Sequence, residues 1–418
     1  MKTLLKNARI LKMDGSEIFF GDILVENEFI KKIADKIDVK ADKIIDCKGN
    51  LLMPGFKNAH AHTAMVFARS AADDLSLHDW LFNVIFPMEE KFKKNDIYHL
   101  TKCGLLEYIK GGITAAFDMY FSPNEIIKAC REIGFRDVIL ATSTKESIDE
   151  IRNNYLSLNK ENDLISYKIG IHAEYTTPYE RIKDIANLVN ELKCPAYLHI
   201  AETSSEVDDC IKRYNKRPTV LLNELGFFNY GGGGFHCIYL DEEEINIFKE
   251  KNISIISCPG SNAKLASGIA PLYKYQEKGL NIALGTDGAA SNNSLDMFKE
   301  MYLASTLQKL INDDPSLMDG KEVLKMATVN SAHAMGLYNA DTLEENKLAD
   351  IIMIDLNSPC MQPINNIEKN IVYAGSRDII KMTMINGRIL YYNHRFAKHI
   401  HEKTIYSKAQ KITNRLKS

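Results

Sequence analysis

The stretch that decides the fold is "LLMPGFKNAHAHTAM", residues 51–65. An apolar run meets Pro54-Gly55, and two histidines follow, His60 and His62, one residue apart. On an extended strand, side chains at i and i+2 share a face, so both imidazoles can converge on one metal ion. A His-X-His pair on a surface is often accidental. Here the apolar run before it predicts a buried strand that delivers metal-capable groups at its C-terminal end. In a β/α barrel that end carries the chemistry.

Downstream, apolar runs alternate with amphipathic helical patterns such as "NEIIKACREIGF" and "PYERIKDIANLVNELK", the mark of a parallel α/β fold. The further strand candidates are "GITAAFD", "DVILATS", "YKIGIHAEY", "CPAYLHIAET", "GGGFHCIYL", "ISIISCPGSN" and "NIALGTDGAA". With the opening stretch they make eight, which argues for a closed (β/α)8 barrel. Upstream, residues 1–50 read as short strands separated by turn residues. Strands return from about Asn346 as "KLADIIMIDLNS" and "NIVYAGSRDIIKMTMINGRIL", the latter with the hairpin signal Asn386-Gly387. The expected organisation is a small β-sandwich from residues 1–50 and 346–400, a barrel over 51–345, and a basic surface helix over 401–418.

Polar residues interrupt the apolar runs at their C-terminal ends. Strand one ends in His60 and His62, strand five in His199 with Glu202 three residues on, strand six in His236, and strand eight in Asp287. Three histidines and a carboxylate suit a first-row divalent ion such as zinc or iron, with room left for a water. Taken singly, a histidine after an apolar run is more often a hydrogen-bonded structural residue. Four such strand ends together favour a metal site.

The composition sets outer limits. The 418 residues are 45% hydrophobic and 26% charged, which is the profile of a globular protein with a sizeable core. A net charge of -3 offers no electrostatic case for nucleic acid or a membrane surface. There is no apolar run of bilayer length and no signal peptide. Eight scattered cysteines without a C-x-x-C pair predict reduced thiols and a cytoplasmic location.

"PGFKNAHAHTAM", "LHIAET", "FHC" and "LGTDGAASNNSLDMFKEM" resemble the metal and catalytic motifs of the amidohydrolase superfamily. With "SCPGSNAKLASGIAP" and "DLSLHDWLFNVIFPMEEKF", they resemble its branch of S-adenosylhomocysteine, 5-methylthioadenosine and 5'-deoxyadenosine deaminases. The resemblance implies a distorted (β/α)8 TIM barrel with a β-sandwich built from both termini. It also implies a homo-oligomeric enzyme acting on a small nucleoside, with no nucleic-acid or membrane partner. Carried over position by position, His60, His62, His199 and Asp287 would hold one divalent metal, zinc before iron. Relatives with two metals carry a bridging lysine at the end of strand four; "YKIGIHAEY" ends in His172 and Glu174 with no lysine there, so one metal per subunit is expected. Glu202 would shuttle protons and His236 would position the attacking water. Asp287 would take that water's proton, so that activated hydroxide adds to adenine C6 and ammonia leaves. His172 and Glu202 would contact the base, Glu89 would bind the ribose hydroxyls, and Trp80 would lie in the covering loop.

One departure concerns the 5' side of the substrate. Where the branch commonly carries an arginine-glycine pair, this chain has "ILATSTKES", with Lys145 the nearest cation. A small or uncharged 5' group is therefore expected, as in 5'-deoxyadenosine, methylthioadenosine or adenosine, ahead of S-adenosylhomocysteine. Two other readings stay open: a guanine or cytosine deaminase or chlorohydrolase with the same metal kit, and a non-catalytic scaffold. The first lacks a use for Glu89, and the second would be expected to have lost ligands.

Overall fold

The computed structural model describes residues 1–71, 73–75, 77–142 and 145–417. Eight strands follow one another around a parallel sheet in chain order. They are β1 (Phe56–Ala61), β2 (Ile113–Met119), β3 (Arg136–Leu140), β4 (Ile165–Ala173), β5 (Ala196–Ile200), β6 (Gly232–His236), β7 (Ile253–Ser257) and β8 (Ile282–Leu284). Strands β2 to β8 overlap the seven further strand candidates of the sequence, β1 lies inside residues 51–65, and nearly every residue in all eight is buried, as strands covered on both faces require. Inside, Ala115, Phe117, Leu140, Tyr197, Phe235 and Ile256 fill the barrel, so the site above them rests on a solid floor. Helices such as Pro123–Ile133 and Tyr179–Leu192 turn apolar faces inward around the outside.

The barrel closes between β1 and the three-residue β8 without a regular ladder. The Asp287 N–H donates to the His60 carbonyl at 3.0 Å. The Asn58 side chain accepts from the Thr286 N–H at 2.8 Å and donates to the Thr286 hydroxyl at 2.7 Å. This seam is the distortion of the barrel, and it seats Asp287 beside the two histidines of β1.

The chain ends form one nine-stranded sheet, largely antiparallel. Strands from both ends share a single core that includes Leu5, Ile23, Leu52, Ile351, Met353 and Met382. Leu51–Pro54 joins the two halves, pairing with Ile351–Ile354 on one side and with Lys2–Ile10 on the other. The apolar run that opens residues 51–65 is therefore not the start of the barrel strand, as the sequence suggested. Its four residues belong to the terminal sheet, and Pro54-Gly55 passes the chain into β1. Any side chain at Gly55 would collide with Thr114, since a Cβ there would lie 2.1 Å from its methyl group.

Two further expectations change. "NIVY" is not strand: Ile367–Tyr373 is a helix capped by Asn366, whose side chain accepts from the Lys369 N–H. The hairpin signal is realised, with Asn386 and Gly387 both at positive φ and Ile385 opposite Arg388. The basic tail is the helix Glu402–Lys417 and is docked, not merely superficial: it buries Ile405, Ala409, Ile412 and Leu416, and Arg415 pairs with Asp96. No helix among the described residues is long and apolar enough to cross a membrane.

Candidate active site

At the C-terminal mouth of the barrel, His60, His62 and His199 bring one nitrogen each to within 4.8 Å of the others. His60 Nε2 lies 3.1 Å from His199 Nε2. Asp287 Oδ1 lies 3.3 Å from His62 Nε2 and 3.6 Å from His60 Nε2. The opposite ring nitrogens of two histidines are committed to backbone carbonyls: His62 Nδ1 to Met119 at 2.5 Å and His199 Nδ1 to His172 at 2.7 Å. Each of those nitrogens carries its proton toward the carbonyl, which leaves Nε2 with a lone pair aimed at the centre. His60 Nδ1 is buried without a hydrogen-bond partner among the described residues, and its ring stacks on Phe235 at 4.0 Å. Burial, followed by repulsion from the neighbouring imidazoles, holds His60 and His199 well below the ordinary histidine range. Imidazole nitrogens converging beside an ionised carboxylate are the donor set that a divalent cation requires. Burial opposes charge on Asp287, but His62, His236 and the Ser261 hydroxyl outweigh it and keep its pKa low.

The backbone is strained where these groups are aimed. Ala201, His236, Cys237 and Asp287 all adopt positive φ at strand ends, a cost that surrounding contacts must offset. At the end of β5, the buried Glu206 carboxylate does so by accepting from the Ala201 and Glu202 N–H groups at 2.9 and 2.8 Å. After β8, Asp287 Oδ1 accepts from the Gly288 N–H, and Oδ2 accepts from the hydroxyls of Ser261 (2.6 Å) and Ser291 (2.8 Å). After β7, the turn Pro259–Lys264 supplies Ser261 and also Asn262, whose Oδ1 meets His236 Nδ1 at 2.7 Å. His236 Nε2 then faces Glu202 Oε2 at 3.8 Å. Burial raises the Glu202 pKa. On His236, burial is outweighed by Glu202, Asp287 and Asn262, and its pKa rises too.

A cavity of about 480 Å³ opens above this cluster. Its wall contains every residue singled out from the sequence except His60, which lies beneath: Trp80, Glu89, His172, Glu202, His236 and Asp287 all line it, with His62 and His199. Trp80 opens a π-helical turn, Trp80–Ile85, a local irregularity frequent at functional sites. Its indole N–H is buried without a partner among the described residues. His172 Nδ1 meets the Thr176 hydroxyl at 2.9 Å, and burial depresses its pKa to about 4. Burial pushes Glu89 up to about 7, against a hydrogen bond from the Tyr120 hydroxyl and the charge of Lys145. Lys145 lies over the Phe121 ring at 4.5 Å.

Sequence reasoning missed the supports: Ser261, Asn262, Ser291, Glu206, Tyr120 and the Met119 carbonyl. Glu206 had a legible signal in Thr203-x-x-Glu206, a helix-start spacing. The rest meet their partners only through the fold.

A sequence model described as "Amidohydrolase family" matches residues 51–390. The chain is 37% identical over 418 residues to a 5-methylthioadenosine/S-adenosylhomocysteine deaminase of Pyrococcus furiosus, covering 98% of this chain and 99% of that one. It is 40% identical over 400 residues to the protein of the same name from Thermococcus sibiricus, covering 93% and 94%. Among solved structures, an adenosine deaminase from Xanthomonas campestris with bound zinc superposes with a TM-score of 0.93 at 27% identity, covering 99% of this chain and 98% of that one. Atrazine chlorohydrolase from Arthrobacter aurescens, complexed with zinc, superposes at 0.90 with 20% identity over 98% and 100%, a likeness of fold alone.

Proposed function

Since the chain belongs to the amidohydrolase family, we propose that its mouth cluster is the centre of a hydrolytic deaminase acting on 5'-modified adenosines. Water adds to adenine C6, the C6–N bond breaks, and the products are the corresponding inosine and ammonia. The observation that carries this reading is Glu202 facing His236 beside three histidines and Asp287, in one cavity with Glu89. The relatives that span nearly the whole chain are named for the same chemistry.

One divalent ion, which we take to be zinc with iron(II) as the alternative, would be held by His60, His62, His199 and Asp287. When bound there it supplies Lewis acidity that acidifies the attacking water. Everything else falls to side chains. Asp287, held by two serine hydroxyls, accepts the proton of that water. Glu202, whose pKa is raised by burial, protonates ring nitrogen N1 and relays a proton to the departing amine. His236, oriented by Asn262, hydrogen-bonds the incoming oxygen and steadies the tetrahedral adduct. His172 contacts the base, Trp80 caps the cavity, and Glu89 accepts from the ribose hydroxyls.

Among the described residues Lys145, laid over Phe121, is the one lysine or arginine lining the cavity, which supports 5'-deoxyadenosine and methylthioadenosine as good substrates ahead of an anionic 5' group. We place the enzyme in the cytoplasm on the strength of its eight unpaired cysteines. The test is ammonia release from adenosine, 5'-deoxyadenosine, methylthioadenosine, S-adenosylhomocysteine, adenine and guanine, with metal content measured on the same sample. Nucleosides should exceed free bases by at least about tenfold in kcat/KM, the scale of one lost charge-assisted hydrogen bond. Activity should track about one metal per subunit, as a single four-ligand set implies. A free base as best substrate, or two tightly held metals in active enzyme, overturns the reading.

A further inference from the structure

We propose that Tyr120 is a positioning residue for substrate selection: its hydroxyl fixes the Glu89 carboxylate so that the remaining lone pairs face the ribose. This rests on Glu89 as the ribose acceptor, the role given to it above.

The two residues reach the cavity on different parts of the fold. Glu89 ends the short helix Phe86–Glu89, in the long excursion between β1 and β2. A glutamate on such a segment has several rotamers open to it, and ordering it on binding costs conformational entropy. Tyr120 directly follows β2, next to Met119, whose carbonyl holds His62 Nδ1. Its ring is buried, stacked on Phe121 at 4.4 Å and edge-on to His62 at 6.5 Å. It is therefore part of the rigid barrel mouth, and its hydroxyl donates to Glu89 Oε1. A carboxylate offers about four lone-pair sites; Tyr120 takes one, and the others suffice for two vicinal hydroxyls. The anchor registers the sugar end of the site to the metal end. It also favours the ionised form of a carboxyl that burial otherwise drives toward protonation near neutral pH, with Lys145 the other favourable group and His62 behind the tyrosine ring.

The experiment uses metal-loaded enzyme and compares adenosine with 2'-deoxyadenosine in wild type, Tyr120→Phe and Glu89→Asp. Tyr120→Phe should keep its metal and melting temperature. Its KM for adenosine should rise about tenfold while kcat stays within about twofold, the split expected when uniform binding is lost. Its KM for 2'-deoxyadenosine should change much less, and the acid limb of kcat/KM for adenosine should move to higher pH. Glu89→Asp keeps the charge but withdraws it from the Tyr120 hydroxyl, and should lose the same discrimination; this variant decides if Tyr120→Phe melts early. If wild type discriminates and both variants discriminate equally well, the positioning role is overturned while the role of Glu89 stands. If wild type itself does not favour adenosine, both fall together.

Discussion

On the reading proposed above, a single carboxylate, Glu202, separates proton transfer from metal binding. Glu202 follows His199, a proposed ligand, by three residues, yet it faces His236 at 3.8 Å. Its backbone is held by Glu206, so its position survives loss of its own charge. Glu202→Gln should therefore retain the metal and bind nucleoside with near-normal KM. Its kcat should fall at least about a hundredfold, the usual scale for a general acid–base group. Steady-state kinetics with elemental analysis on one preparation checks this; a variant that turns over normally removes Glu202 from the chemistry. Neighbouring Asp287, if it is the fourth ligand as proposed, should answer differently, since its loss should cost the metal first.

Strand ends and the seam between β1 and β8 do at the scale of elements what no residue does alone. Asp287 reaches the histidines because its N–H is tied to the His60 carbonyl and because Gly285 lets the two segments touch. A Cβ at Gly285 would lie 2.6 Å from the His60 backbone nitrogen and 2.7 Å from its Cβ, so one segment must move. Gly285→Ala should thus widen the seam and lower metal occupancy and turnover together, by about tenfold or more for a ligand displaced by half an ångström to an ångström. Far-UV circular dichroism should be unchanged. Full metal retention in a folded Gly285→Ala variant would show that the seam has slack. The same reasoning explains the four positive-φ residues: they re-aim side chains just beyond the strands, and hydrogen bonds from adjacent turns hold them there.

Across the whole molecule, the barrel and the terminal sheet are pinned by a buried ion pair. Arg136, at the start of β3, donates to Asp350 from Nε at 2.7 Å and from Nη2 at 3.2 Å; Asp350 also accepts from the Asn386 N–H at the hairpin. Both side chains are at most 2% exposed. Removing one partner of such a pair strands the other, at a cost of about 3–5 kcal/mol. Asp350→Ala should lower the melting temperature by several degrees with little change in kcat at low temperature. The pH dependence has a definite sign. Burial opposes ionisation of Asp350, but Arg136, its hydrogen bonds and Lys57 outweigh it, so the folded pKa lies below the ordinary value. The resulting stability is complete above the ordinary aspartate range and is lost as pH falls through the depressed folded value. The gap between wild type and Asp350→Ala should narrow at acid pH; a constant gap in thermal melts would assign the loss to packing instead.

Periodicity and residue type determined the alternation of strands and helices, the barrel, the β-rich ends and the placing of His60, His62, His199, His236 and Asp287 at strand ends. These are local properties: a two-residue repeat, a 3.6-residue repeat, and the point where an apolar run stops. The tertiary structure alone decided which sheet receives Leu51–Pro54, since an apolar run of four fits either, and how β1 meets β8. It alone brought Ser261, Ser291 and Asn262 onto Asp287 and His236, and Tyr120 onto Glu89. Serine, asparagine and tyrosine carry no periodic signal; Ser291 meets Asp287 within the one loop after β8, whereas Ser261, Asn262 and Tyr120 meet their partners only when segments from different strands pack over one barrel mouth. The identity of the polar groups is written in residue type, whereas their aim depends on hydrogen bonds between segments distant in the chain, 26 residues apart for Ser261 and Asp287, 31 for Tyr120 and Glu89 and 57 for His62 and Met119.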